Sequence, residues 1–215
     1  MKMVDADPAV VEARLAAGAY SCASCGSGRL RPWGFARRRV LRRYGEPVRL
    51  RPRRSRCGSC LATHVLLPTF ALLRRRDLAE VIGEALLARF VRHDSRAGVA
   101  KAAGVPHPDT ARGWCRRFRS NAAGLRASFT TLAHELDPNL GPLEDRGSPE
   151  ADALEAIGTA AVAAARRFGP APVWQFVAGA TGGLLLANTN CPLRHEVARC
   201  ERARRKEGRP MMSTA

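Results

Sequence analysis

The chain has 215 residues, enough for one sizeable domain or two small ones. Its formal net charge of +17 is unevenly spread: residues 1–70 carry 14 Lys/Arg against 4 Asp/Glu, residues 71–128 carry 12 against 5, and the remainder carries 10 against 10. A cationic front and a neutral rear point to a polyanion partner for the front, and the longest apolar run, Val173–Ala187, is too short to cross a bilayer.

The basic residues are almost all arginine, since Lys2, Lys101 and Lys206 are the only lysines. Arginine forks onto phosphates and guanine edges, which favours nucleic acid. A GC-rich genome accounts for part of the excess but not for its concentration at one end. Met1–Val11 has no apolar core flanked by basic residues, so the expectation is a cytoplasmic, nucleoid-associated protein with reduced thiols.

Asp7-Pro8 predicts a short helix with Asp7 as its cap and Pro8 at its first position, apolar at Ala9, Val10, Val11, Leu15 and Ala16 and ended by Gly18. Then comes the most specific motif in the chain, Cys22-x-x-Cys25 and Cys57-x-x-Cys60, separated by 31 residues. Each pair offers two thiolates from one tight knuckle, and four thiolates complete a tetrahedral zinc site with no position open to water or substrate. The expectation is therefore one structural Zn²⁺ held by Cys22, Cys25, Cys57 and Cys60. Gly26 and Gly58 are expected to take positive φ at the knuckles. Redox pairs or disulfides fit less well, because no thioredoxin-like βαβ pattern or secretion signal accompanies them. His64, four residues after Cys60, is expected to be a strand-face histidine rather than a fifth ligand.

Between the knuckles, residues 29–41 and 48–56 predict a hairpin turned at Tyr44-Gly45-Glu46-Pro47. Thr63–Leu67 adds a third strand, stopped by Pro68. Alternation at Val48-Arg49-Leu50-Arg51 places arginines on one face, so Arg49, Arg51, Arg53 and Arg54 are candidate phosphate contacts. Trp33 and Phe35 are read as half-buried, with base stacking as the lesser option.

Leu78, Val81, Ile82, Ala85, Leu86 and Phe90 recur at three and four and predict an amphipathic helix within 74–93. Asp94-Ser95 stops it and caps a short helix over 96–103, which Gly104 ends. A third helix begins at Pro108 or Asp109. Its inward row is Ala111, Trp114, Cys115 and Phe118; its outward row is Asp109, Arg112, Gly113 and Arg116, with Arg117 adjacent. Helix, short helix, glycine turn, helix is the helix-turn-helix layout, and the outward row is the candidate DNA-reading surface.

Leu125, Phe129, Leu132 and Leu136 extend a helical stripe. Ser148-Pro149-Glu150 opens an alanine-rich helix, and Gly169-Pro170-Ala171-Pro172 connects it to a last apolar helix containing Trp174, Val177, Ala180 and Leu184. This C-terminal pair either caps the preceding bundle or joins a second copy as a homodimer. Cys191, His195 and Cys200 offer only three donors at irregular spacing and are assigned no metal site. Arg199–Arg209 is read as a basic tail.

The predicted class is α+β: a small three-stranded N-terminal zinc ribbon with its helix (1–70), a helix-turn-helix domain (71–140), a C-terminal helical hairpin (141–190) and a basic tail (191–215). With Cys22-Ala23-Ser24-Cys25-Gly26, the arginine-rich hairpin, Arg56–His64 and the three helices in view, the chain resembles the N-terminal DNA-binding region of bacterial insertion-sequence transposases. Within that resemblance it is similar to an actinobacterial group of zinc-ribbon plus helix-turn-helix proteins, carried by Leu30-Arg31-Pro32-Trp33-Gly34, Thr63–Pro68, Arg112-Gly113-Trp114 … Arg116-Arg117-Phe118, and Ala180–Gly183 … Leu186–Thr189. The resemblance implies zinc ligation by the four cysteines and base reading by the outward row of the third helix. One departure is that Gly104 to Trp114 is one residue longer than usual, with prolines flanking His107.

No strand-like region follows the third helix to gather Glu135, Asp137, Asp145 and Asp152 into a two-metal nuclease, and no phosphate loop or deaminase signature is present. The expected function is therefore non-catalytic DNA binding, as a mobile-element accessory factor or transcriptional regulator, with no membrane or small-molecule substrate. Two alternatives remain open: a structured-RNA or ribosome-associated factor, and a protein–protein adaptor working through the C-terminal helices.

Overall fold

The computed structural model describes residues 1–187. The tail at 191–215, with Cys191, His195 and Cys200, lies outside the described residues. The fold is α+β, with six strands and six helices among the described residues. A short strand β1 (Lys2–Val4) leads into α1 (Pro8–Ala16), and β2 (Leu30–Phe35), β3 (Arg39–Arg43), β4 (Glu46–Leu50), β5 (Arg53–Cys57) and β6 (Thr63–Pro68) follow. Then come α2 (Ala79–Phe90), α3 (Arg96–Ala102), α4 (Pro108–Leu136), α5 (Pro149–Phe168) and α6 (Val173–Ala180).

The expected caps are in place. The Asp7 carboxylate accepts from the Ala9 amide, Ser95 from Gly98 and Ser148 from Ala151, each satisfying a first-turn N–H that has no helical partner. Gly18 and Gly104 take positive φ at +61° and +62°, as helix-ending glycines do.

The strands depart from the expected three-stranded ribbon. Instead of one long hairpin, there is a four-stranded sheet in the order β1-β6-β5-β2 and a separate β3-β4 hairpin. The division has a local cause. Gly34 sits at φ +75°, the β2-β5 register shifts between Pro32 and Phe35, and Pro52 has no N–H to continue the ladder. Tyr44 and Gly45, both at positive φ (51° and 94°), then close β3 onto β4 with Arg43 opposite Glu46. Strand β1 was not expected; it pairs in parallel with β6, Val4 beside Pro68.

The freed hairpin swings onto the helices. Leu41 is buried in the larger core, Arg42 grips Asp77 through two 2.9 Å bonds, and Arg43 pairs with Glu80 at 2.6 Å. Its tip rests on the α3–α4 turn, where a Cβ at Gly104 would overlap the Tyr44 carbonyl. A smaller second core joins Val4, Val11, Leu15, Tyr20, Leu30 and Leu66 to Cys22 and Cys57.

Helix α4 runs unbroken for 29 residues, so the third helix and the following stripe are one element. Its rear half packs along α5, with Leu125, Phe129 and Ala133 fully covered. Helix α6 is shorter than expected. Thr181-Gly182-Gly183 turns the chain, and Leu184 lies beyond the helix.

Candidate metal centre and nucleic-acid interface

The Cys22, Cys25, Cys57 and Cys60 sulfurs all lie within 4.8 Å of one another. Cys22 to Cys60 and Cys25 to Cys57 are each 3.7 Å. Disulfide sulfurs sit at about 2.05 Å, so these are free thiols. Four thiolates about 2.3 Å from a tetrahedral ion lie about 3.8 Å apart along each edge, so the cage fits one metal ion of that size. It also leaves no vertex for a reacting ligand.

The backbone wraps the sulfurs with N–H donors. Ser24 donates to Cys22 at 3.3 Å and Gly28 to Cys25 at 3.4 Å, while Ser59 and Cys60 donate to Cys57 at 3.3 and 3.4 Å. Such donors favour the thiolate. The Gly28 amide, with neighbouring thiols, brings Cys25 down to about 6 against the opposing effect of desolvation. The Cys60 amide likewise lowers Cys57. For Cys60 the Ala62 amide pulls down, but desolvation and the three other thiols together push it up to about 11.

Gly26 takes φ +78° as expected, but Gly58 does not adopt positive φ; the left-handed residue after the second knuckle is Leu61, at +61°. Gly28 is the glycine the cage cannot spare, because a Cβ there would overlap the Cys57 sulfur. Nothing in its spacing distinguished it from Gly26. His64 lies on β6 as expected, on its buried face: it is 4 % exposed, with Nε2 3.2 Å from the Cys22 sulfur and Nδ1 3.3 Å from the Met1 amino group. An ammonium has only hydrogens to offer Nδ1, so a neutral ring would carry its proton on Nε2, facing the Cys22 sulfur. His64 thus contacts a member of the cysteine cage without joining it, and its distance from Cys60 in sequence was the available signal.

The candidate phosphate contacts divide. Arg49 and Arg51 are exposed and Arg54 is half-buried. Arg53 is held down, 17 % exposed, paired with Glu12 at 2.7 Å and donating to the Gly34 carbonyl at 2.8 Å, so it braces α1 against β2. Trp33 and Phe35 are 48 and 49 % exposed and faced by guanidinium groups: Arg56 lies 4.6 Å over Trp33, and Arg51 and Arg53 lie 4.7 and 4.6 Å over Phe35.

On α4, Ala111, Trp114 and Phe118 are buried and Cys115 is half-buried. Asp109, Arg112 and Arg116 are exposed, with Arg112 3.6 Å from Asp109. Gly113 and Arg117 are half-buried, and Arg117 folds back to donate to the Gly113 carbonyl at 3.2 Å. The outward row therefore reaches solvent through Asp109, Arg112 and Arg116. Among the described residues, no helix is long and apolar enough to cross a membrane. No family model, curated protein or solved structure matches this chain.

Proposed function

We propose that this is a non-catalytic, zinc-dependent DNA-binding protein, a mobile-element accessory factor or transcriptional regulator. In this reading a zinc ribbon, with the ion in the four-cysteine cage, stands beside a helix-turn-helix formed by α2, α3 and α4. The observation that carries it is the clean separation of the first turns of α4. One side seats Ala111, Trp114 and Phe118 in the core, and the other offers Asp109, Arg112 and Arg116 to solvent. A helix anchored this way can lay its N-terminal end in a major groove, while Arg49, Arg51 and Arg54 neutralise backbone phosphates. Four thiolates on two glycine-containing knuckles suit zinc, with iron the other common occupant of a tetrahedral sulfur site.

Gel-shift titrations across a salt series test the reading. Affinity should fall steeply as salt rises, and Arg51→Ala should weaken all sequences alike, whereas Arg112→Ala should lose sequence preference. Binding that ignores salt would remove the proposal. The exposed Trp33 and Phe35, each under an arginine, are the feature favouring RNA or single strands. Competition between duplex DNA and folded RNA separates the two.

A further inference from the structure

Helices α2, α3 and α4 meet around a concave pocket of about 210 Å³ that no sequence motif announced. Its rim carries five arginines: Arg89 from α2, Arg96 from α3, and Arg112, Arg116 and Arg119 from α4. The floor is small and apolar, made by Val99, Ala111 and Cys115, and no carboxylate is among the lining residues. The acids nearest these arginines stand outside. Asp109 meets Arg112 at the rim, and Glu150 holds Arg119 from α5. Arg89 is fixed by donating to the Asp94 carbonyl at 3.0 Å, and Arg119 lies 5.6 Å from the Phe90 ring centre. Two of the five arms are thus pre-positioned, and while Glu150 offsets Arg119 and Asp109 offsets Arg112, no carboxylate among the described residues pairs with Arg89, Arg96 or Arg116.

Gathering like charges around a dish is unfavourable unless an anion shares them. Guanidinium forks match phosphate oxygens in pairs, and the volume lies below the roughly 300–1,000 Å³ typical of small-molecule pockets, suiting one phosphoryl group. Cys115 does not oppose an anion there: burial pushes its thiol up, against the pull of Arg89 and Arg119, and keeps it neutral.

We propose that the pocket bounded by Arg89, Arg96, Arg116 and Arg119 binds a phosphoryl group. The group comes either from the backbone of a bound duplex, the source that rests on the DNA-binding reading above, or from free phosphate or a phosphomonoester.

The test uses the full zinc-loaded chain, with Arg96→Gln as the main variant because Arg96 is exposed and its loss spares the core. Arg89→Gln is the second. Thermal unfolding is followed against inorganic phosphate at constant ionic strength, and duplex affinity against salt. A saturable rise in Tm in the parent chain, lost in the variants, supports the free phosphoryl source. No rise with phosphate, but duplex binding weakened alike for all sequences and a salt slope reduced by about one, supports the backbone source. Variants that match the parent in both assays overturn the pocket, and duplex binding by the parent is then unaffected. If the parent binds no duplex but phosphate still protects it, the DNA-binding reading falls and the pocket stands.

Discussion

His64 and Gly28 show how one side chain, or the lack of one, shapes the cysteine cage. Nε2 of His64 lies 3.2 Å from the Cys22 sulfur, and supporting contacts of this kind hold a ligand in place and tune its basicity. If the cage holds its ion as proposed, His64→Ala should lower metal affinity about 10–100-fold, read by competition with a chromophoric chelator, while the metal content of the fully loaded protein stays at one ion. Unchanged affinity would show that the bond is incidental. Gly28→Ala is expected to do more, since its methyl would displace the Cys57 sulfur itself. That variant should purify with less bound metal than the parent, measured by elemental analysis.

Among the elements, the β3-β4 hairpin and the α4-α5 pair carry consequences of their own. Gly104 is left-handed and touches the Tyr44 backbone, so Gly104→Ala meets both an unfavourable φ and a backbone overlap. The expected loss is ~2–5 kcal/mol, seen as a lower urea midpoint. A loss of only about 1–2 kcal/mol, the left-handed φ alone, would mean that the hairpin tip yields freely. Glu150, buried at the first turn of α5, has its acidity set by opposing effects. Burial raises its pKa, but the Arg119 hydrogen bond and its own backbone amide outweigh this and hold it below the ordinary 4.5. A depressed folded-state value means the contribution is complete above the unfolded carboxylate pKa and is lost as pH falls through the folded one. Glu150→Gln should therefore be less stable near neutrality and show a flatter acid limb in its urea midpoint against pH. An unchanged acid limb would refute the assignment.

Across the fold, the two cores set what metal removal should do. The smaller one is built around Cys22 and Cys57 with a handful of aliphatic side chains, too few to stand without a staple. The larger one draws on the helices and Leu41. Chelation should expose amides of β2, β5 and β6 to hydrogen exchange while α4 and α5 stay protected. Equal loss in both regions would show that the cage supports the entire fold.

Much of this was readable from local chemistry. Caps at Asp7, Ser95 and Ser148, the glycine ends at Gly18 and Gly104, and the inward row of α4 depend on neighbours within a few residues, so spacing alone revealed them. The paired cysteines were equally plain, because metal geometry constrains their spacing directly. Long-range partners left no such trace. The alternation at Val48–Arg51 reads the same whether the strand continues a ribbon or folds back to seat Leu41 in the larger core. Likewise, β1 joins β6 across more than sixty residues. Arg53 looked like its neighbours until Glu12 was found beside it, and five arginines scattered from 89 to 119 became one pocket only when three helices crossed. Local hydrogen bonding and periodicity are written in consecutive residues, whereas the pairing of distant charges is decided by which surfaces the packed cores bring together.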